Sequence, residues 1–106
     1  SRMEKRRFKC TLCLELDTPL EKVERVSKRI ENMLIERDGI IDDSVIVKFD
    51  LISENGIDLL IYSYTNSVDY TSYLQEKEKI NYKIMKILAE ENINLAYDTK
   101  TVYVKH

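Results

Sequence analysis

Between Asn55-Gly56 and Asn66 the chain reads Ile57-Asp58-Leu59-Leu60-Ile61-Tyr62-Ser63-Tyr64-Thr65. Its alternation leaves neither side polar: Ile57, Leu59 and Ile61 fall on one face, Leu60, Tyr62 and Tyr64 on the other. A strand apolar on both faces belongs inside a sheet, with a neighbour at each edge. This one segment therefore demands at least two partner strands. Asn55-Gly56 supplies the first, because it is the strongest short hairpin signal and a type I′ turn needs positive φ twice. The preceding run, Ser44–Ile52, alternates Val45, Val47, Phe49 and Leu51 with Ile46, Lys48 and Asp50.

The second partner comes from the start of the chain. Lys5–Leu16 places Phe8, Cys10, Leu12, Leu14 and Leu16 on one face of a strand. Asp17-Thr18-Pro19-Leu20-Glu21 follows, predicting a capping box with Thr18 as N-cap, Pro19 at N1 and Glu21 at N3. Leu20, Val23, Val26, Ile30, Met33 and Leu34 then recur at the 3.6-residue helical period as far as about Arg37. Gly39 is expected as the left-handed residue that ends the helix. Asp69 caps a second helix running to about Asn92, with Tyr70, Tyr73, Leu74, Ile80, Ile84, Ile87 and Leu88 as its buried stripe. Thr101–Lys105 alternates through Val102 and Val104 as a last strand.

The order is β-α-β-β-α-β. With right-handed crossovers it predicts an α+β ferredoxin-like sandwich, a four-stranded antiparallel sheet carrying two helices on one face. At 106 residues the chain is expected to form a single domain, 1–106.

Composition closes off several functions. With 43% apolar and 34% charged residues, and no aliphatic run longer than three, nothing in the chain reads as a bilayer span. Residues 1–9 hold five bases (Arg2, Lys5, Arg6, Arg7, Lys9) against Glu4, a net +4. The other 97 residues therefore carry −6 of the chain's −2. An acidic body argues against a nucleic-acid footprint. Cys10 and Cys13 are three apart on a strand, so their sulfurs diverge and read as buried free thiols rather than a redox or metal pair. The sole histidine, His106, leaves no triad and no zinc set. Glu36, Asp38, Asp42 and Asp43 lack the ligand spacing of a calcium loop. No catalytic residue, metal or cofactor is expected.

One surface is expected to matter. Alternation directs Leu60, Tyr62, Tyr64 and Tyr103, with Cys13 and Ile46, away from the helices. Such an apolar, aromatic patch marks a partner-facing surface.

Four junctions carry a family likeness. Ser1-Arg2-Met3-Glu4-Lys5-Arg6-Arg7-Phe8, Leu16-Asp17-Thr18-Pro19-Leu20-Glu21-Lys22-Val23, Val68-Asp69-Tyr70 and Glu91-Asn92-Ile93-Asn94-Leu95-Ala96-Tyr97-Asp98 occur in order. Together the chain resembles the C-terminal α/β domain of the small-conductance mechanosensitive channel (MscS) family. Ala96 and Asp98 stand where that family usually has prolines, and Asn92 where it has Gly. The resemblance implies a C-terminal fragment of a membrane protein, on the cytoplasmic side of the cell membrane. It implies membrane contact only through upstream segments, and a channel that opens under tension in hypo-osmotic shock. It further implies self-association into a heptamer whose hollow vestibule permeating ions cross. Two other classes share the element order: a small-molecule regulatory domain of the ACT type, which commonly places Gly between the first strand and helix, and a free-standing adaptor.

Overall fold

The structure, a computed structural model, describes residues 6–96. Strand β1 (Arg6–Leu14) leads to helix α1 (Leu20–Ile35). A 3-10 turn (Asp42–Ser44) enters β2 (Ile46–Ile52), and β3 (Ile57–Thr65) and helix α2 (Tyr70–Glu90) follow. The sheet is antiparallel, in the order β1-β3-β2. β3 is central, as its two apolar faces demand. The described architecture is α+β, with two helices and three strands. The expected fourth strand, Thr101–Lys105, and with it Tyr103, lies outside the described residues.

Pairing Cys10 with Ile61 and Leu12 with Leu59 fixes the register of β1 on β3. That register turns Phe8, Leu14, Ile57, Leu59 and Ile61 inward, where they meet Val23, Val26, Ile30 and Leu34 of α1 and Ile80, Ile84, Ile87 and Leu88 of α2. Both helices therefore cover one face of the sheet. Ser63 and Thr65 continue the inward side as fully buried polar residues. Thr65 Oγ1 donates to the Arg6 carbonyl, while the Ser63 hydroxyl has no partner.

Several expectations are corrected. The α1 capping box does not form. Pro19, not Thr18, is the N-cap, and its carbonyl accepts from Lys22 and Val23. The Thr18 hydroxyl instead donates 2.6 Å back to the Glu15 carbonyl, closing the strand-to-helix loop. Leu16, Leu20, Tyr70 and Leu74 are exposed. Leu16 lies in the turn after β1, and Leu20 and Tyr70 are the first residues of α1 and α2. In β2 the register shifts between Phe49 and Leu51, which pair with Leu59 and Asp58. This bulge breaks the alternation, so Leu51 joins the outer face with Asp58 instead of following Val47 and Phe49.

Neither glycine has positive φ. The β2–β3 hairpin therefore forms without a type I′ turn: Ser53 and Gly56 exchange both backbone hydrogen bonds, and the Ser53 hydroxyl accepts from Asn55 N–H. Gly56 is needed for space. A Cβ there would stand 2.2 Å from the Leu14 carbonyl oxygen and 2.9 Å from Cys13 Sγ. A Cβ on Gly39 would meet the Glu76 carboxylate at 2.8 Å. The left-handed residue is Asn92, φ 57°. Its N–H donates to Ala89 and that of Ile93 to Leu88, a complete Schellman closure of α2 with Ile93 and Leu88 both buried. At its other end α2 is capped as expected, Asp69 accepting from Ser72 N–H at 3.0 Å.

These positions give opposite expectations for two small changes. Asn92→Gly should raise the urea midpoint, since a non-glycine residue in the left-handed region costs roughly 1 kcal/mol. Gly56→Ala should lower it, with a loss of about 1–3 kcal/mol in stability, because the obstructing atom is backbone. A Gly56→Ala protein as stable as wild type would show that β1 and the hairpin are further apart than described.

Candidate functional site: the open sheet face

The face of the sheet that the helices leave bare is set by the same register. Across it run Arg7 beside Tyr64, Lys9 beside Tyr62 and Ile46, Thr11 beside Leu60 and Lys48, and Cys13 beside Asp58 and Leu51. Directly paired residues share a face, so alternation in β3 carries Leu60, Tyr62 and Tyr64 out together. Tyr64 and Ile46 are exposed at 36% and 42%, and Leu60 and Tyr62 are half-buried by their neighbours. The expected patch is thus assembled in three of its four named residues, and Tyr103 falls outside the described residues.

Alternation by itself puts Lys9, Glu15, Lys48 and Asp50 on this side of the sheet; what it does not show is Arg7 against the tyrosines. The Arg7 guanidinium lies 5.8 Å from the Tyr62 ring centroid. Tyr62 and Tyr64 meet edge to face at 5.8 Å, with their hydroxyls 3.4 Å apart. Cross-strand neighbours on a sheet were the available signal, but β1 and β3 pair only once the register is known. The Tyr64 hydroxyl and the Arg7 guanidinium push the Tyr62 phenol below its ordinary value, and the same pairing pushes Tyr64 up. The face presents flat aromatic surface with charges of both signs around it.

Cys10 and Cys13 are free, on opposite faces, and half-buried rather than buried. Burial raises both thiols, and Asp58 raises Cys13 further, so both are disfavoured as thiolates. Among the described residues no three His, Cys, Asp or Glu side chains gather to hold a metal. At the junction between β1 and α1, where an ACT-type domain would approach a ligand with its backbone, the Thr18–Glu15 hydrogen bonds tie the loop beside a cleft of about 200 Å³ shared with Asn92, Ile93 and Asn94. Between the helices, clefts of about 340 and 480 Å³ are crossed by ion pairs: Arg29 with Glu90, Arg37 with Glu76. They read as the seam of a helix pair.

The tyrosine pair is directly testable. Tyr62 should lose its proton before Tyr64 in an ultraviolet-monitored titration, and Tyr64→Phe should move the Tyr62 transition up in pH. An unmoved transition would mean that the two hydroxyls do not interact.

Comparison with known proteins agrees with this architecture. The family model described as "Mechanosensitive ion channel MscS, C-terminal" matches residues 8–95. The uncharacterized MscS family protein YhdY of Bacillus subtilis is 32% identical over 105 residues, covering 99% of this chain and 28% of that protein. The large-conductance mechanosensitive channel MscMJLR of Methanocaldococcus jannaschii is 24% identical over 98 residues, covering 90% of this chain and 27% of that protein. The chain thus spans under a third of the length of these curated relatives. Among solved structures, the cryo-EM structure of Arabidopsis thaliana MSL1 superposes with a TM-score of 0.80 at 14% identity, over 92% of this chain and 35% of that one. A single fold, matched from the first strand to the bridge at Leu95, places the chain in the MscS mechanosensitive ion channel family, as a C-terminal domain of that family.

Proposed function

We propose that this chain is the assembly and vestibule-wall domain of a channel that opens under membrane tension during hypo-osmotic shock. The observation that carries the reading is the extent of the family match: residues 8–95 take in every described element and the whole core. Relatives named as large- and small-conductance mechanosensitive channels support it. No described helix is long and apolar enough to cross a membrane, and the chain corresponds to 28% of its B. subtilis relative. The membrane-spanning work is therefore assigned to other parts of the protein. This domain sits on the cytoplasmic side as one unit, 1–106, and self-associates with its copies as a heptamer.

Within that assembly the domain neither senses tension nor conducts alone. Its charges act on permeating ions over about 8 Å at physiological salt, so they bias passage only where a side opening is narrow. Nucleic acid is not a partner. The ferredoxin-like arrangement belongs to the same proposal. The antiparallel bridge between Leu95 and Leu14 leads the chain onto the free edge of β1, where a fourth strand at Thr101–Lys105 would lie. The open face carrying Leu60, Tyr62 and Tyr64, extended by Tyr103, is the contact surface between copies.

Tyr62→Lys tests the reading. The isolated domain should fold normally, because Tyr62 is on the open face. The full-length protein should assemble poorly, and cells relying on it should survive osmotic downshock less well. Full assembly and full survival would remove this face from the contact.

A further inference from the structure

The end of β1 where the chain comes in is fastened by side chains. The Arg6 guanidinium donates from Nε to the Val68 carbonyl at 3.3 Å and lies 5.5 Å from the Tyr70 ring centroid. The Thr65 hydroxyl donates to the Arg6 carbonyl, and the Tyr73 hydroxyl to the Arg7 carbonyl, each at 3.0 Å. Tyr70 and Tyr73 stack with their ring centroids 6.1 Å apart. The first residues of β1 are thus tied to the end of β3, to the loop after it and to the first turn of α2.

Apolar side chains stand exposed around that clasp. Val68 is 51% exposed and Tyr70 59%, and Leu74, one turn further along α2, is 42% exposed. Holding an exposed ring and a long cation in one arrangement costs rotamer entropy. A surface ordered beforehand spares that cost at the moment of contact. Tyrosine and arginine beside aliphatic side chains are also the composition of a contact centre.

The direction of the chain names the occupant. The matching family model is the C-terminal one, and the chain covers 28% of its B. subtilis relative. In a protein so arranged the larger part lies upstream and joins this domain beside Arg6. Residues 1–5 reach at most about 18 Å when fully extended, so the upstream part starts within that distance of the patch. We propose that Arg6, Val68, Tyr70 and Leu74 form the seat on which the part of the same polypeptide preceding Ser1 packs, through apolar side chains of its own. The proposal rests on the reading of this chain as the C-terminal domain of a larger protein and adds the surface that holds it to the rest. The contact lies within one copy, unlike the contact between copies assigned to the open face. The Arg6 clasp sets the direction in which the upstream chain leaves.

The test is photo-cross-linking in the full-length protein. Benzoylphenylalanine replaces Tyr70 in one preparation and, as a control, the 65%-exposed Tyr82 of α2 in another. Mass spectrometry locates the cross-link, and tension-gated currents are recorded from the same protein. The probe at position 70 should join residues upstream of Ser1 within one copy, and the probe at position 82 should not. Products of twice the protomer mass would overturn the proposal in favour of a second copy, and adducts of lipid mass in favour of a membrane surface. No upstream product from position 70, or an equal yield from position 82, would overturn it as well. Adding Val68→Glu and Leu74→Glu, both at exposed positions, should lower the yield several-fold, and an undiminished yield would count against the seat. The currents separate the two readings. Currents without the cross-link overturn the seat and leave the channel standing, whereas the cross-link without currents keeps the seat and overturns the channel.

Discussion

The central strand is the constraint from which the rest of the molecule follows. β3 is paired along its whole length with β1 and along most of it with β2. Its backbone groups are thereby satisfied, and its side chains are divided between two environments. Inward, Ile57, Leu59 and Ile61 form the floor on which both helices rest. Outward, Leu60, Tyr62 and Tyr64 are presented as a fixed row. A slip of one residue would exchange the two sets, sending tyrosine hydroxyls into the core and leaving the helices without a floor. Core and open face are consequences of one register.

How much of this could be read beforehand differs by element, and the reason is physical. β3 and the buried half of α2 were legible because their periodicities are long and local. Asp69 was legible as a cap because a short side chain can reach its own helix terminus. The failures occurred where the deciding neighbour is remote in sequence. Gly56 was assigned to a turn conformation, yet what excludes a side chain there is the carbonyl of Leu14, more than forty residues earlier. Gly39 was assigned to a helix stop, yet it makes room for Glu76. The residue that does enter the left-handed region is Asn92, at the position where the family usually has Gly. The bulge in β2 was invisible for the same reason, since it is defined only against β3.

The candidate surface divides along similar lines. Its aromatic members were read from alternation within one strand. Alternation also puts Lys9 and Lys48 of the neighbouring strands on that side, and only the pairings bring Arg7 against Tyr64 and Tyr62. Which charge stands beside which tyrosine is therefore a property of the sheet and of no single segment.

The ion pairs between the helices bear on how α1 and α2 are set along one another. α1 and α2 run antiparallel and are clasped at both ends, Arg25 and Arg29 on Glu91 and Glu90, Arg37 on Glu76. The exposed pairs add little to stability singly, whereas Arg37 and Glu76 are largely shielded from solvent. Their placement matters for sliding. A shift of α2 by one helical turn, about 5.4 Å, would bring Lys86 opposite Arg29 and Ser72 opposite Arg37. A shift the other way would bring Ile80 opposite Arg37 and carry the acidic pair past Arg29. In either direction Arg37 loses Glu76, while in the first Arg25, one turn before Arg29, still meets the acidic pair. The Arg37–Glu76 end therefore fixes the axial setting of the helix pair, and the Arg25–Arg29 end, with two bases for one acidic pair, follows it.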